Sequence, residues 1–278
     1  MTEADDTAPG PPPAPVLEVT GLHRAFGATQ AVDDVSFTLP AKGSLGVVGE
    51  SGSGKTTTAR IIAGLERADA GRVLVRGRDR ARLGRGRAAR LRRARDVQMV
   101  FQDPYSSLDP RVPVGAALRE TVRLHFPDVD TRRRAAELLD QVGLGAREAS
   151  ALPRQLSGGQ RQRVAIARAL AVEPAVLILD EAVAALDVSV QAQIINLLAD
   201  IRQQTGVACL FITHDLGVVR AVTEDAVVLR KGRIVERGPT AQLLSEPQHP
   251  YTRLLLASLP RPGWEPERIG AARRALDA

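Results

Sequence analysis

Gly49-Glu50-Ser51-Gly52-Ser53-Gly54-Lys55-Thr56-Thr57-Thr58 matches the pattern G-x-x-x-x-G-K-[ST] at every fixed position. This is the spacing of a phosphate-cradling P-loop. The flanking residues agree with it. Upstream, Ser44-Leu45-Gly46-Val47-Val48 reads as a short buried strand. Downstream, residues 57–65 read as a helix with Ile61, Ile62 and Leu65 on one face. The glycines let backbone N–H groups turn inward around a phosphate, and the helix N-terminus adds about half a positive charge there. Lys55 is expected to reach the β- and γ-phosphates of a nucleotide, and the Thr56 hydroxyl to ligate Mg²⁺.

The composition sets limits on the rest. A chain of 278 residues with 44% hydrophobic content can bury a sizeable core. Aromatics make up 3%, so that core must be Leu, Val, Ile and Ala. The net charge is +6, and the positive charge is nearly all arginine, since only Lys42, Lys55 and Lys231 are lysines. Cys209 is the sole cysteine, which excludes an internal disulfide and a cysteine-based metal cluster and suits a reducing compartment. Residues 1–15 are acidic, then proline-rich, and are expected to be a disordered leader. They have no basic and apolar pattern of a secretory signal, and no run approaches the eighteen apolar residues of a membrane span.

Taken in order, Leu17-Glu18-Val19 and Phe37-Thr38-Leu39 read as strands, with Phe26 in the loop between them. Phe26 suits either a core aromatic or a ring that stacks on a base. After the strand Val73-Leu74-Val75, residues 76–95 hold ten arginines. No aromatic is interleaved to stack on a base, so this stretch reads as the solvated face of a loop and helix, with Leu83 and Leu91 facing in, and no nucleic-acid partner is expected. Val97-Gln98-Met99-Val100-Phe101 reads as a buried strand ending at Gln102-Asp103-Pro104. Helices are expected over 116–124 and 132–142, the second stopping at Gly143. Leu156-Ser157-Gly158-Gly159-Gln160 is a second glycine turn, leading into a helix over 161–171 and offering a second phosphate site. Val176-Leu177-Ile178-Leu179 is a strand buried on both faces and ends in Asp180-Glu181, where open α/β sheets bind ligands. Beside a P-loop, an acid there is a second Mg²⁺ determinant. A helix over 188–202 follows. The strand Ala208-Cys209-Leu210-Phe211-Ile212-Thr213 ends at His214, a candidate sensor of the γ-phosphate, and Cys209 within it reads as inert core. Residues 226–229 and 233–236, joined by Lys231-Gly232, read as a hairpin.

Together these residues resemble the ATP-binding-cassette ATPase domain over residues 16–237. The P-loop is generic; Leu156-Ser157-Gly158-Gly159-Gln160 is specific to that family, and Gln102, Asp180-Glu181, Leu186-Asp187 and His214 follow in the family's order. The resemblance implies an α/β fold, a P-loop NTPase (RecA-like) core with an N-terminal antiparallel β-subdomain and an inserted α-helical subdomain at about 103–170. It implies ATP and Mg²⁺ as cofactors, and two cassettes closing head to tail around two ATPs. Residues 49–57 (Gly49, Glu50, Ser51, Gly52, Ser53, Gly54, Lys55, Thr56 and Thr57) would grip each ATP. The partner's Ser157, Gly158, Gly159 and Gln160 would cap its γ-phosphate. By the same resemblance Phe26 stacks on adenine, Thr56 and Gln102 contact Mg²⁺, Asp180 holds its water shell, and Glu181 is the general base. His214 contacts the γ-phosphate, and Asp187 couples the two sites.

A finer resemblance rests on residues 101–111, on 186–193 and on His249-Pro250-Tyr251-Thr252-Arg253-Leu254-Leu255, which look like the dipeptide/oligopeptide importer subfamily, which also handles nickel and some glycosides. The turn followed by Arg161-Gln162-Arg163 looks like its F-type ATPase. Such a subunit implies a distinct D-type ATPase partner, two membrane permeases, a permease helix docked near 102–111, an extracytoplasmic binding protein, and a peripheral position on the cytoplasmic face of the membrane. Residues 238–262 would be the subfamily's C-terminal extension and 263–278 a tail; no iron–sulfur motif is expected. Two departures stand out: Ala182 and Ala184 occupy positions where the family has proline and serine. Glu181 is intact, so turnover is expected. Two other readings compete. A soluble cassette acting on ribosomes or DNA would carry two cassettes or a long coiled-coil insertion, and a non-hydrolysing cassette would lack Glu181 or His214.

Overall fold

Two sheets meet around the stretch quoted above. The structure is a computed structural model and describes residues 14–82, 84, 86–103 and 108–258. Most of the leader, Leu83, residues 104–107 of the permease-docking stretch and the 263–278 tail lie outside the described residues.

The smaller sheet is antiparallel. Strands β1 (Pro15–Phe26) and β2 (Thr29–Pro40) form a hairpin, in which Phe26 opposes Thr29 across a turn at Gly27 with φ +59°. Leu17, Val19 and Leu22 of β1 and Val32, Val35, Phe37 and Leu39 of β2 are buried, so one face of the hairpin is packed. β4 (Ala70–Val75) pairs with the other edge of β1, and β5 (Arg78–Asp79) completes the order β2-β1-β4-β5.

The larger sheet has the order β10-β9-β3-β8-β7-β6. β3 (Ser44–Val48), β6 (Val97–Val100), β7 (Val176–Asp180), β8 (Ala208–Thr213) and β9 (Asp225–Arg230) run parallel, and β10 (Arg233–Pro239) returns antiparallel at the edge. β3, β7 and β8 are buried at every position, which is why they read as unbroken apolar runs rather than alternations. The register sets Val48 beside Thr213 and Asp180 beside Ile212, so the carboxyl ends of these strands open at one level. That level is where parallel sheets bind ligands.

Apolar side chains fill both sides of the large sheet. One core joins the small sheet, β3 and Ile61 and Ile62 of α1 (Lys55–Ala63). A second lies under α3 (Val114–His125), α4 (Thr131–Gln141), α6 (Gly158–Leu170) and α7 (Val188–Thr205), with Leu118, Leu138, Ile166 and Ile194 fully buried. The short helix α5 (Ala146–Ser150) precedes α6.

Several expectations need correction. Leu65 does not share the buried face of Ile61 and Ile62. It is 61% exposed, because α1 stops at Gly64, whose left-handed φ of +78° turns the chain out. The signature helix begins at Gly158, not at residue 161, since Ser157 caps it directly. The arginine stretch is not wholly a solvated face. Its helix is present as expected, α2 (Arg87–Asp96), but there Ala89 is buried and Leu91 only half-buried. Arg80 is buried, donates to the carbonyl of Ala63 at 3.1 Å, and lies 3.7 Å from the buried carboxylate of Asp96. A buried guanidinium is tolerated there because a buried acid faces it.

Candidate functional site

The P-loop leaves β3 and enters α1 as the sequence requires. Gly49, Gly52 and Gly54 have φ of +155°, +79° and +102°. At two of them space is as decisive as conformation. A Cβ on Gly49 would lie 2.3 Å from the carbonyl oxygen of Leu229, and one on Gly54 2.2 Å from that of Ala31. The loop is thus pressed between β9 and β2. The turn at Lys231-Gly232 holds it there: Gly232 donates to Ser53 O at 3.0 Å and accepts from Asp33 N at 2.8 Å. Lys55, 5% exposed, donates from Nζ to the carbonyls of Gly49 (2.8 Å) and Glu50 (2.7 Å). Burial pushes its pKa down, against the opposing pull of Glu181 and Asp180. Ser53 Oγ is buried in the same loop without a hydrogen-bond partner among the described residues.

Two polar pairs stand at the carboxyl ends of β7 and β8. Thr56 Oγ1, in the first turn of α1, donates to Asp180 Oδ1 at 3.2 Å. His214 Nδ1 lies 3.1 Å from Glu181 Oε1. Glu181 adopts φ +49°, unusual for a residue with a side chain, and its N–H is tied to Ile212 O at 2.8 Å. The strand's last hydrogen bond therefore holds the carboxylate at a kink, beside the imidazole. Asp180 is 7% exposed, and burial raises its pKa although the Thr56 hydroxyl works the other way. A hydroxyl and a buried carboxylate in contact fit Mg²⁺, which takes few protein oxygens and completes its shell with water and phosphate. Among the described residues no cluster of three or more His, Cys, Asp or Glu forms a metal cage.

The sign of the Asp180 shift gives a stability prediction. A carboxyl whose pKa is raised by folding favours the fold when protonated and weakens it once pH exceeds the folded value, so at neutral pH its charge is a cost. Asp180→Asn keeps an acceptor for Thr56 and removes that charge. The ligand-free protein is expected to melt at a higher temperature than the parent. Thermal melts with and without Mg²⁺-ATP check it: the gain on adding Mg²⁺-ATP is expected to disappear in the variant.

The second glycine turn is organised without any ligand. Ser157 Oγ accepts from Gln160 N at 3.2 Å, and Gln160 Oε1 accepts from Ser157 N at 2.9 Å, a reciprocal cap on α6. A Cβ on Gly159 would meet Val190 Cγ1 at 2.6 Å, so this glycine lets α6 approach the start of α7. A Cβ on Gly158 would meet Leu186 Cδ2 at 3.6 Å, an ordinary contact. Asp187 caps α7, accepting from Val190 N (2.9 Å) and Ser189 Oγ (2.7 Å), and these bonds hold its carboxyl below the usual range. Gln102 lies exposed just beyond the end of β6. Phe26 is not a core aromatic: it ends β1, 47% exposed, with the Arg24 guanidinium 4.6 Å from its ring centroid. Arg24 is fixed by Glu66 at 2.8 Å and Asp69 at 2.7 Å.

The model of the family described as "ABC transporter" matches residues 32–184, more than half of the chain. The chain belongs to that family. A second model, "Oligopeptide/dipeptide transporter, C-terminal region", matches residues 235–276. Among relatives, a probable peptide ABC transporter ATP-binding protein of Sinorhizobium fredii is 51% identical over 236 residues, 84% of this chain and 66% of that one. The oligopeptide transport ATP-binding protein OppD of Mycobacterium tuberculosis is 48% identical over 250 residues (90% and 40%). The glutathione import ATP-binding protein GsiA of Escherichia coli is 47% identical over 241 residues (86% and 38%). This ABC chain therefore spans about two fifths of OppD and GsiA. Among solved structures, cbiO1 from Clostridium perfringens, part of an ABC transporter complex, superposes with a TM-score of 0.75 at 25% identity (94% of this chain, 99% of that one). The ABC cassette MJ0796 in a post-hydrolysis state bound to ADP and Pi gives 0.69 at 28% (81% and 98%).

Against the ABC pattern, Ala182 is buried and Ala184 exposed, and the turn Ala184 N to Glu181 O, 3.1 Å, forms with alanine at both positions. Two residues beside the site were not singled out from sequence: Arg24 offered no motif, and Gly232 read only as a hairpin turn.

Proposed function

We propose that this chain is the ATP-binding and ATP-hydrolysing subunit that energises an ABC importer of di- or oligopeptides. The observation that carries this reading is the combination, in one chain, of the cassette's catalytic groups with the oligopeptide/dipeptide C-terminal region at 235–276. Lys55 and the N–H groups of the P-loop bind the phosphates, and Phe26 supports the adenine. Thr56 and Asp180, with Gln102, hold Mg²⁺, which when bound neutralises charge on the phosphate oxygens. Glu181 takes the proton of the attacking water, while His214 orients Glu181 and contacts the γ-phosphate. The Ser157–Gln160 cap closes on ATP held by a second cassette, and Asp187 links the two sites. Phosphoryl transfer needs positioning and charge neutralisation more than covalent chemistry, and these groups supply both.

The partners that follow are a second ATPase of the D type, two transmembrane permeases and an extracytoplasmic binding protein. The chain would sit on the cytoplasmic face of the membrane; no described helix is long and apolar enough to cross it. Residues 238–262 form the subfamily's extension, and a permease helix docks near residues 102–111, where the helical subdomain of about 103–170 begins. Purification of the tagged chain from native membranes in mild detergent tests the reading. Co-purification of two multi-span permeases and a second ATPase is the expected result. Recovery with ribosomal or DNA-repair proteins, and no permease, would overturn the transport reading and leave the ATPase.

A further inference from the structure

The signature His249-Pro250-Tyr251 lies far from the P-loop in sequence and against it in space. Glu236 of β10 starts the arrangement. Its Oε1 accepts from Gln248 N at 2.7 Å and its Oε2 from His249 N at 3.1 Å. These bonds fix the chain as it enters α8 (Pro250–Ala257). His249 Nδ1 then caps the helix by accepting from Tyr251 N at 3.1 Å, and Pro250 occupies the first helical position, where its missing N–H costs nothing. Tyr251 is thereby aimed inward. It is 3% exposed, packed in an apolar cluster with Val48, Val219 and Val228, and the Arg230 guanidinium lies 5.2 Å from its ring centroid.

The phenol oxygen of this buried ring accepts a hydrogen bond from the backbone N–H of Glu50 at 3.0 Å. Glu50 is the second residue of the P-loop, and its carbonyl accepts from Lys55 Nζ on the other side of the same peptide chain. One residue thus joins the C-terminal extension to the lysine of the phosphate site. Together with the bond from Gly232 to Ser53, the loop is held from outside at both Glu50 and Ser53.

We propose that Tyr251 is a positioning residue for the nucleotide site: its hydroxyl fixes the Glu50 peptide, and through it the resting place of Lys55, so that the C-terminal extension sets ATP affinity. This rests on reading residues 49–57 as the ATP site. Tyr251→Phe keeps the ring in its cluster and removes the hydroxyl, and with it the acceptor of the Glu50 N–H. A single hydrogen bond of this kind corresponds to a change of about three- to tenfold in an equilibrium constant. The purified chain is expected to bind ATP that much more weakly, as a rise in KM with kcat held within about twofold, and to melt only about 2–4 °C lower, the cost of the same bond to the fold.

Amide hydrogen exchange of the unaltered protein gives a second readout that needs no variant. The Glu50 amide is expected to exchange as slowly as those of β3, and Tyr251→Phe is expected to release it while leaving β3 protected. Three outcomes separate the ideas. Weaker ATP binding with a released Glu50 amide supports the assignment. Wild-type ATP affinity in Tyr251→Phe, with ATP binding lost in Lys55→Ala, overturns it and leaves the ATP site standing. Wild-type ATP affinity in Lys55→Ala removes the ATP site itself, and the role of Tyr251 with it. An unprotected Glu50 amide in the unaltered chain also overturns the assignment.

Discussion

Glu181→Gln is expected to lower ATP turnover by about a hundredfold or more while leaving ATP binding intact. The glutamine fills the same volume at the kink after β7 and can still hydrogen-bond His214, 3.1 Å away in the parent. It cannot accept a proton from water. The P-loop contacts and the Thr56–Asp180 pair lie outside the change, so affinity has no reason to fall. ATP held without hydrolysis should accumulate paired cassettes. Steady-state phosphate release and size-exclusion chromatography with Mg²⁺-ATP give both readings, and unchanged release would remove Glu181 from the role of base.

Lys55→Ala acts on the other half of the site and is expected to abolish binding rather than the chemical step. In the ligand-free protein the ammonium lies against the carbonyls of Gly49 and Glu50, near the phosphate position, with burial already weakening its hold on its proton. A phosphate would replace neutral acceptors with charged ones, and charge-assisted bonds contribute about 1.5–3 kcal/mol each. Loss of two such bonds predicts ATP affinity reduced on the order of a hundredfold or more. Titration with a fluorescent ATP analogue measures it. The two variants should differ in kind: the first retains nucleotide and does not turn it over, the second does not retain it.

The parts legible in sequence were those where one local rule fixes the backbone. The P-loop glycines could be recognised because the positive φ values at Gly49, Gly52 and Gly54 exclude most other residues. The strands β3, β7 and β8 could be recognised because burial on both faces leaves unbroken apolar runs. Phe26 could not be decided, since an aromatic beside a glycine has the same spacing whether it packs or projects. Its exposure depends on where the β1–β2 hairpin ends. Leu65 was misread because helical periodicity continues past Gly64, where the backbone does not. Arg80 was hidden within a run of arginines, and only the fold sets Asp96 beside it. Tyr251 acts at a separation of 201 residues, a distance over which no periodicity or motif spacing carries information.

The Lys231-Gly232 turn carries one further consequence. Hairpin turns at a sheet edge are ordinarily where chains accept extra residues, since lengthening them disturbs nothing else. Here the same glycine is stitched to Asp33 on one side and to Ser53 on the other, and a Cβ on it would come within 3.1 Å of Ala31 O. A single inserted residue would undo both stitches at once. This short turn, remote in sequence from the P-loop, should therefore keep its length as strictly as the loop itself, and deep insertion scanning should find it as intolerant as a buried strand.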